Sequence, residues 1–180
     1  MEPFGHVLSG ICLAQALRPS KGDSQPRGWW PAAGGVAAFF PDIDAVTYLA
    51  GADAFQRYHQ FYTHNLIAFA IGPALLTVAL RKLTKNPPPF GRALAVVQGG
   101  WALHLLGDTI AHWPLRLFWP FSRTGISFEL IPRDFSFGLA GVLLVGTTLS
   151  FVDDVRPWRR SIAIATLLAA TAYVLFSPGW

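Results

Sequence analysis

The sequence predicts an all-α fold: a multi-pass membrane helix bundle of about six apolar segments, the first two of them short. Two observations carry this. Apolar residues make up 52% of the 180-residue chain and charged residues only 13%, where a soluble domain carries about 25% charged. The apolar residues are also gathered into runs, several close to the ~20 residues that cross a bilayer as helix. Basic or Pro-rich linkers separate the runs.

The first segment runs from about Phe4 to Leu17 and the second from Trp29 to Phe40, continuing past Pro41 toward Leu49. Both fall short of a full span, which suits a tilted, partly embedded or re-entrant helix. The third covers roughly His64 to Leu80, the fourth Ala93 to Trp113, the fifth Phe135 to Val152 and the sixth Ser161 to Phe176. Asn86-Pro87-Pro88-Pro89 is a stiff connector that cannot continue a helix. Thr63 is placed to cap the third segment, with Tyr62 and Ile67 as a hydrophobic staple. The length suits one domain, residues 1–180, with a motif-bearing part over 1–122 and two further membrane helices over 135–180.

The linkers supply an orientation. With Arg18, Lys21 and Arg27 on the cytoplasmic side, Arg81, Lys82, Lys85, Arg92, Arg156, Arg159 and Arg160 fall there too. Only Arg57, Arg116, Arg123 and Arg133 lie opposite. This fits the positive-inside rule, and it puts both termini outside. Trp113, Trp119, Phe118 and Phe121 would sit at the outer interface, where aromatic side chains are favoured. The net charge of +4 is spread between apolar runs and forms no basic stripe, which argues against a nucleic-acid partner. Cys12 is alone, so no intramolecular disulfide forms and no Cys-based zinc site exists.

The ionisable residues inside the apolar runs carry the chemistry. At about 1.5 Å per helical residue, His6, Asp42, His64, His104 and Asp108 lie roughly 18–26 Å from the cytoplasmic end of their own segments. That is one depth, in the outer half of a hydrocarbon core about 30 Å thick. Charged groups there are costly unless they pair, line a wet cavity or bind a metal. His104 and Asp108 are four residues apart and share a helical face, which His112 continues. Gly99, Gly100 and Gly107 in the same segment allow close helix approach. Asp42 and Asp44 follow Pro41, and capping a helix N-terminus explains one of them but not both. His59 and His64 do not share an ideal helix face, so His59 belongs to the incoming loop. Carboxylates beside several imidazoles are the mixed donor set that suits zinc, and also manganese or iron.

The order His6, Pro41-Asp42-Ile43-Asp44, His59-x4-His64 preceded by Thr63, His104-x3-Asp108 and then Trp119-Pro120-Phe121 resembles the bacterial membrane-bound metal-dependent hydrolase family, the YdjM-like family. The resemblance covers His6 to about Ser122. The family usually has Arg after the first paired His and a small residue after the second, where this chain has Gln60 and Asn65. An Arg contact to substrate is therefore not implied at position 60. The resemblance implies a multi-pass inner-membrane protein and a metal-dependent hydrolase. The His/Asp order is also distantly similar to zinc-dependent phospholipase C, a helical enzyme that binds several zinc ions.

Two readings follow. In the first, one or more divalent ions, zinc foremost, are held by Asp42, His64, His104 and Asp108, with His6, Asp44 and His59 as further ligands. Asp44 is the candidate general base, the depth of the site favours a lipid-linked substrate, and a phosphoester is the first bond to test. In the second, the chain is a non-enzymatic membrane protein, either a metal or proton conduit or a structural bundle. A conduit needs ionisable groups at several depths, and the cytoplasmic half of each segment is free of acids and His.

Overall fold

The computed structural model describes residues 3–19, 28–111, 114–131, 136–152 and 157–176. His112, Trp113, Lys21, Arg27, Arg133 and Arg156 lie outside the described residues. Seven α-helices follow in order: α1 (Pro3–Leu17), α2 (Trp29–Phe39), α3 (Ala52–Tyr58), α4 (Leu66–Lys82), α5 (Phe90–Ile110), α6 (Ser136–Phe151) and α7 (Arg159–Phe176). A 3₁₀ segment, Phe40–Ala50, continues α2. Among the described residues there is no strand, only an isolated antiparallel bridge between Leu115 and Ile126.

Six of these helices match the six apolar runs to within a few residues. The seventh, α3, is short, has no buried residue, and gives no apolar periodicity to read. Gly51 separates it from the 3₁₀ segment at φ 107°, a backbone state that side chains with a Cβ rarely adopt. Asn65, not Thr63, caps α4: its side chain accepts from the Ala68 N–H at 2.9 Å. Thr63 is drawn away because its hydroxyl donates to Asp44 Oδ2 at 2.7 Å. The staple that depended on a Thr63 cap lapses with it.

The bundle is held by small residues where helices cross. At the α1–α2 crossing, a Cβ on Gly10 would collide with the Gly34 carbonyl oxygen, and one on Gly34 with that of Gly10. Gly100 of α5 lies against Ala37 and Ala38 of α2 by the same device. Pro73 interrupts the α4 ladder and leaves the Phe69 carbonyl without its helical donor. Gln98 of α5 donates to that carbonyl at 3.1 Å, so the polar group is satisfied inside the bundle.

These packings set the helix directions. His6 at the start of α1 meets Asp108 near the end of α5. Trp29 at the start of α2 donates to Thr84, just past α4. Leu8 packs in one cluster with Leu139 of α6 and Val174 of α7. One end of the bundle therefore gathers the His and Asp residues. The other end carries Arg18, Arg81, Lys82, Arg92, Arg159 and Arg160 at helix termini.

The outward faces are apolar. Leu75 of α4, Val145 of α6 and Leu168 of α7 are 65%, 61% and 65% exposed. Exposed large apolar side chains on three helices suit contact with lipid. By length and composition α7 is the one helix among the described residues that qualifies as a membrane span, and α1 and α6 are shorter apolar helices. The fold is thus all-helical, as expected, with one clear membrane-crossing candidate.

Candidate metal centre

Three elements converge at the site end. Pro41 has no N–H to offer the carbonyl three residues back, that of Ala38. His104 Nδ1 donates to it instead, at 2.7 Å. The 3₁₀ segment has about three residues per turn, which lets Asp42 and Asp44 both face inward while Ile43 between them is half exposed. The chain then returns through α3 and a tight turn at Gln60, whose φ of 64° is unusual for a residue with a Cβ. That turn aims the Gln60 N–H at Asp44 Oδ2, 2.9 Å away.

His64 and His104 are fully buried, and His6, Asp42 and Asp108 nearly so. His64 Nε2 and His104 Nε2 lie 2.9 Å apart. Asp42 Oδ1 is 3.5 Å from each of these nitrogens. Asp108 Oδ2 is 3.5 Å from His64 Nε2 and 3.4 Å from His104 Nε2. A tetrahedral ion with bonds of about 2.0–2.1 Å separates its donors by about 3.3–3.4 Å. Four edges of this four-atom set, those at 3.4–3.5 Å, come close to what such an ion needs, and the His64–His104 edge at 2.9 Å is shorter.

The protons decide the matter more sharply. Ala38 O can only accept, so His104 carries its proton on Nδ1. The Thr63 hydroxyl already gives its hydrogen to Asp44, so it accepts from His64 Nδ1 at 2.9 Å. Both imidazoles therefore turn an Nε2 lone pair toward the same point, between two carboxylates. Two lone pairs at that distance repel unless a cation sits between them. A metal-ligating His is held in the same way, with a proton kept on one nitrogen by a carbonyl, hydroxyl or carboxylate and the other nitrogen left to an ion, so the pair could hold a divalent metal.

The remaining candidates surround this core. His6 Nε2 lies 3.0 Å from Asp108 Oδ1, and its ring stacks on His104 with centroids 3.9 Å apart. Its Nδ1 is buried with no hydrogen-bond partner among the described residues. His59 Nδ1 lies 2.7 Å from Asp44 Oδ1. Asp42, Asp44 and His59 make a second compact donor set that shares Asp42 with the first, although Asp44 and His59 are already bonded to each other. Gln60 Nε2 reaches Asp108 Oδ2 at 3.5 Å. All seven residues singled out by sequence, His6, Asp42, Asp44, His59, His64, His104 and Asp108, thus fall in one connected cluster.

Burial disfavours a charged His64, but contacts with Asp42 and Asp44 and the field of Asp108 outweigh it and raise its pKa to about 9. In the absence of a metal, a proton on His64 supplies the missing cation. Burial likewise opposes the Asp44 carboxylate, yet bonds from His59, His64 and Thr63 hold its pKa well below the usual range.

Two participants are not evident from the sequence: Thr63 reads as a helix cap, and Gln60 reads only as a departure from a motif. The five-residue spacing of His59 and His64 was the one signal that the chain between them is non-helical and turns its backbone inward.

The sequence profile of the YdjM inner membrane protein family matches residues 1–179. The chain belongs to that family. Neither the curated proteins nor the solved structures contain a match, so the likeness to zinc-dependent phospholipase C is not shown. Membership of this YdjM inner membrane family accords with the apolar outer faces. The buried His/Asp cluster in this family member could bind a divalent metal.

Proposed function

We propose that the protein is a multi-pass inner-membrane hydrolase that cleaves a phosphoester of a lipid-linked substrate with a divalent metal, zinc foremost, held by Asp42, His64, His104 and Asp108. The observation that carries the reading is the pair of Nε2 lone pairs turned on one point between two carboxylates. When bound, the ion polarises the scissile bond and makes a water nucleophilic near neutral pH. The chain's own groups do the rest. Ala38 O and Thr63 hold the two imidazoles in the ligating tautomer. His6 fixes the Asp108 carboxylate from behind. Asp44 is held ionised and is bonded to His59, so the Asp44–His59 pair is the proton-accepting unit beside the cluster.

The described buried acids and imidazoles all lie at one end of the bundle, which supports a one-sided site over a conduit. The arginines and lysines at the other helix ends support placing that end in the cytoplasm and the site toward the non-cytoplasmic face. Helices α1, α2, α4, α5, α6 and α7 would make the six spans.

The test is phosphate release from phosphatidic acid by the purified full chain, loaded with zinc, manganese or iron in turn. Activity abolished by EDTA and reduced at least a hundredfold in both Asp42→Ala and His104→Ala supports the proposal. Full activity and undiminished metal in both variants would falsify it.

A further inference from the structure

A cavity of about 500 Å³ opens beside the cluster, lined by Tyr48, Phe55, His59, Gln60, Pro114 and Arg116 among others. This is the size of a small-molecule site. Two of its lining residues belong to the cluster as well. His59 is bonded to Asp44, and Gln60 donates to both Asp44 and Asp108. The cavity therefore meets the donor set through these two side chains.

Its chemistry is divided. Tyr48, Phe55 and Pro114 make an apolar wall, with Tyr48 set edge-on to Phe55 at 5.7 Å between centroids. The fixed positive charge is Arg116. Its guanidinium lies over the Phe61 ring, 5.2 Å from the centroid, and no carboxylate among the described residues pairs with it. The backbone that carries it is pinned on both sides. Leu115 exchanges two hydrogen bonds with Ile126, and the Leu117 carbonyl accepts from the Leu66 N–H at 2.9 Å. Leu66 opens the helix that follows His64 directly, so Arg116 is registered to a proposed metal ligand across a few bonds. A planar guanidinium held this way, facing a cavity, suits the oxygens of a phosphate. Tyr48, which lines the cavity, is 64% exposed, so the apolar wall continues to the surface and suits the apolar part of the same molecule.

We infer that this cavity is the substrate pocket, that Arg116 binds the phosphoryl oxygens, and that the ligand is an amphiphilic phosphoester whose apolar portion lies along the Tyr48–Phe55 wall. The inference rests on the hydrolase reading above, and it makes Arg116 a binding residue that the sequence alone did not single out.

The full chain in detergent, one half loaded with zinc and one half treated with EDTA, is titrated with inorganic phosphate, glycerol 3-phosphate and lysophosphatidic acid. Wild type is expected to bind phosphate in at least one metal state. Arg116→Gln, which keeps a planar group over Phe61, should weaken that binding at least tenfold with zinc content and unfolding midpoint unchanged, and Arg116→Lys should recover part of it. Lysophosphatidic acid should bind at least tenfold tighter than glycerol 3-phosphate, with the gain cut severalfold by Tyr48→Ser. Equal phosphate affinity in wild type and Arg116→Gln, or no phosphate binding by wild type in either metal state, overturns the role of Arg116. Equal affinity for the two phosphate esters overturns the amphiphile. Arg116-dependent phosphate binding in a protein that takes up no zinc would sink the metal reading while leaving the pocket standing.

Discussion

His64 Nε2 and His104 Nε2 stand 2.9 Å apart with their other ring nitrogens already committed to Thr63 and Ala38. That relationship needs a cation between the two nitrogens: a proton on His64 in the metal-free protein, or a metal ion in its place.

The first prediction concerns the ligands. His104→Ala removes a donor and leaves the Ala38 carbonyl buried and unserved. Zinc affinity should fall by more than the roughly 10–100-fold typical of removing a group that only orients a ligand, as read by competition with a chromophoric chelator. An affinity within a few-fold of wild type would contradict the assignment.

Asp44 separates orientation from ligation. Asp44→Asn keeps the shape but weakens the hold on His59, Gln60 and Thr63. Metal affinity is expected to drop roughly 10–100-fold, and the rate of the metal-saturated protein by roughly 10²–10⁴-fold. Saturating metal that restores the full rate would remove Asp44 from the chemistry and leave it a purely positioning residue.

The proton held by His64 sets a pH dependence. Its folded pKa of about 9 lies above its ordinary value of 6.5. The stabilising proton is therefore fully present below about pH 6.5 and is lost as pH rises through about 9. The metal-free protein should be more stable at pH 6 than at pH 9.5. Metal must displace that proton, so affinity should rise roughly tenfold per pH unit between about 7 and 9. Chelator competition at several pH values measures the slope, and a flat profile would exclude His64 as a ligand.

How much of this was legible in the sequence depends on distance along the chain. The helices α1, α2, α4, α5, α6 and α7 could be read because an apolar run is a local signal. The break at Pro41 was legible for the same reason. His104 and Asp108 could be paired because four residues is one helical turn. Their partners could be proposed only from common depth, since the contact between His6 and Asp108 spans 102 residues and no local pattern records it. The cap of α4 was misplaced by two residues because Thr63 and Asn65 are both good caps by type. Only the tertiary demand of Asp44 for the Thr63 hydroxyl decides between them. Arg116 stayed hidden because the cavity it lines is made mostly by residues more than fifty positions away, Tyr48 to Gln60.

The α1–α2 crossing offers a stability test that is independent of chemistry. Gly34→Val places a side chain against the Gly10 carbonyl and the Ala14 methyl, and α1 cannot move away without withdrawing His6 from Asp108. Overpacking of this kind costs about 1–3 kcal/mol or more. The unfolding midpoint in detergent should fall by several degrees, with zinc affinity falling in parallel. An unchanged midpoint would mean that the two helices do not meet there.

The whole reading stands on imidazoles and carboxylates from three separate stretches of chain, those of Asp42, His64 and the His104–Asp108 helix, enclosing a cation. The most direct measurement is elemental analysis of the purified full-length protein, wild type beside Asp108→Ala. The account predicts at least one equivalent of a divalent transition metal in the wild type and a small fraction of that in the variant. Equal metal content in the two proteins, or none in the wild type after exposure to zinc, manganese and iron, would contradict it.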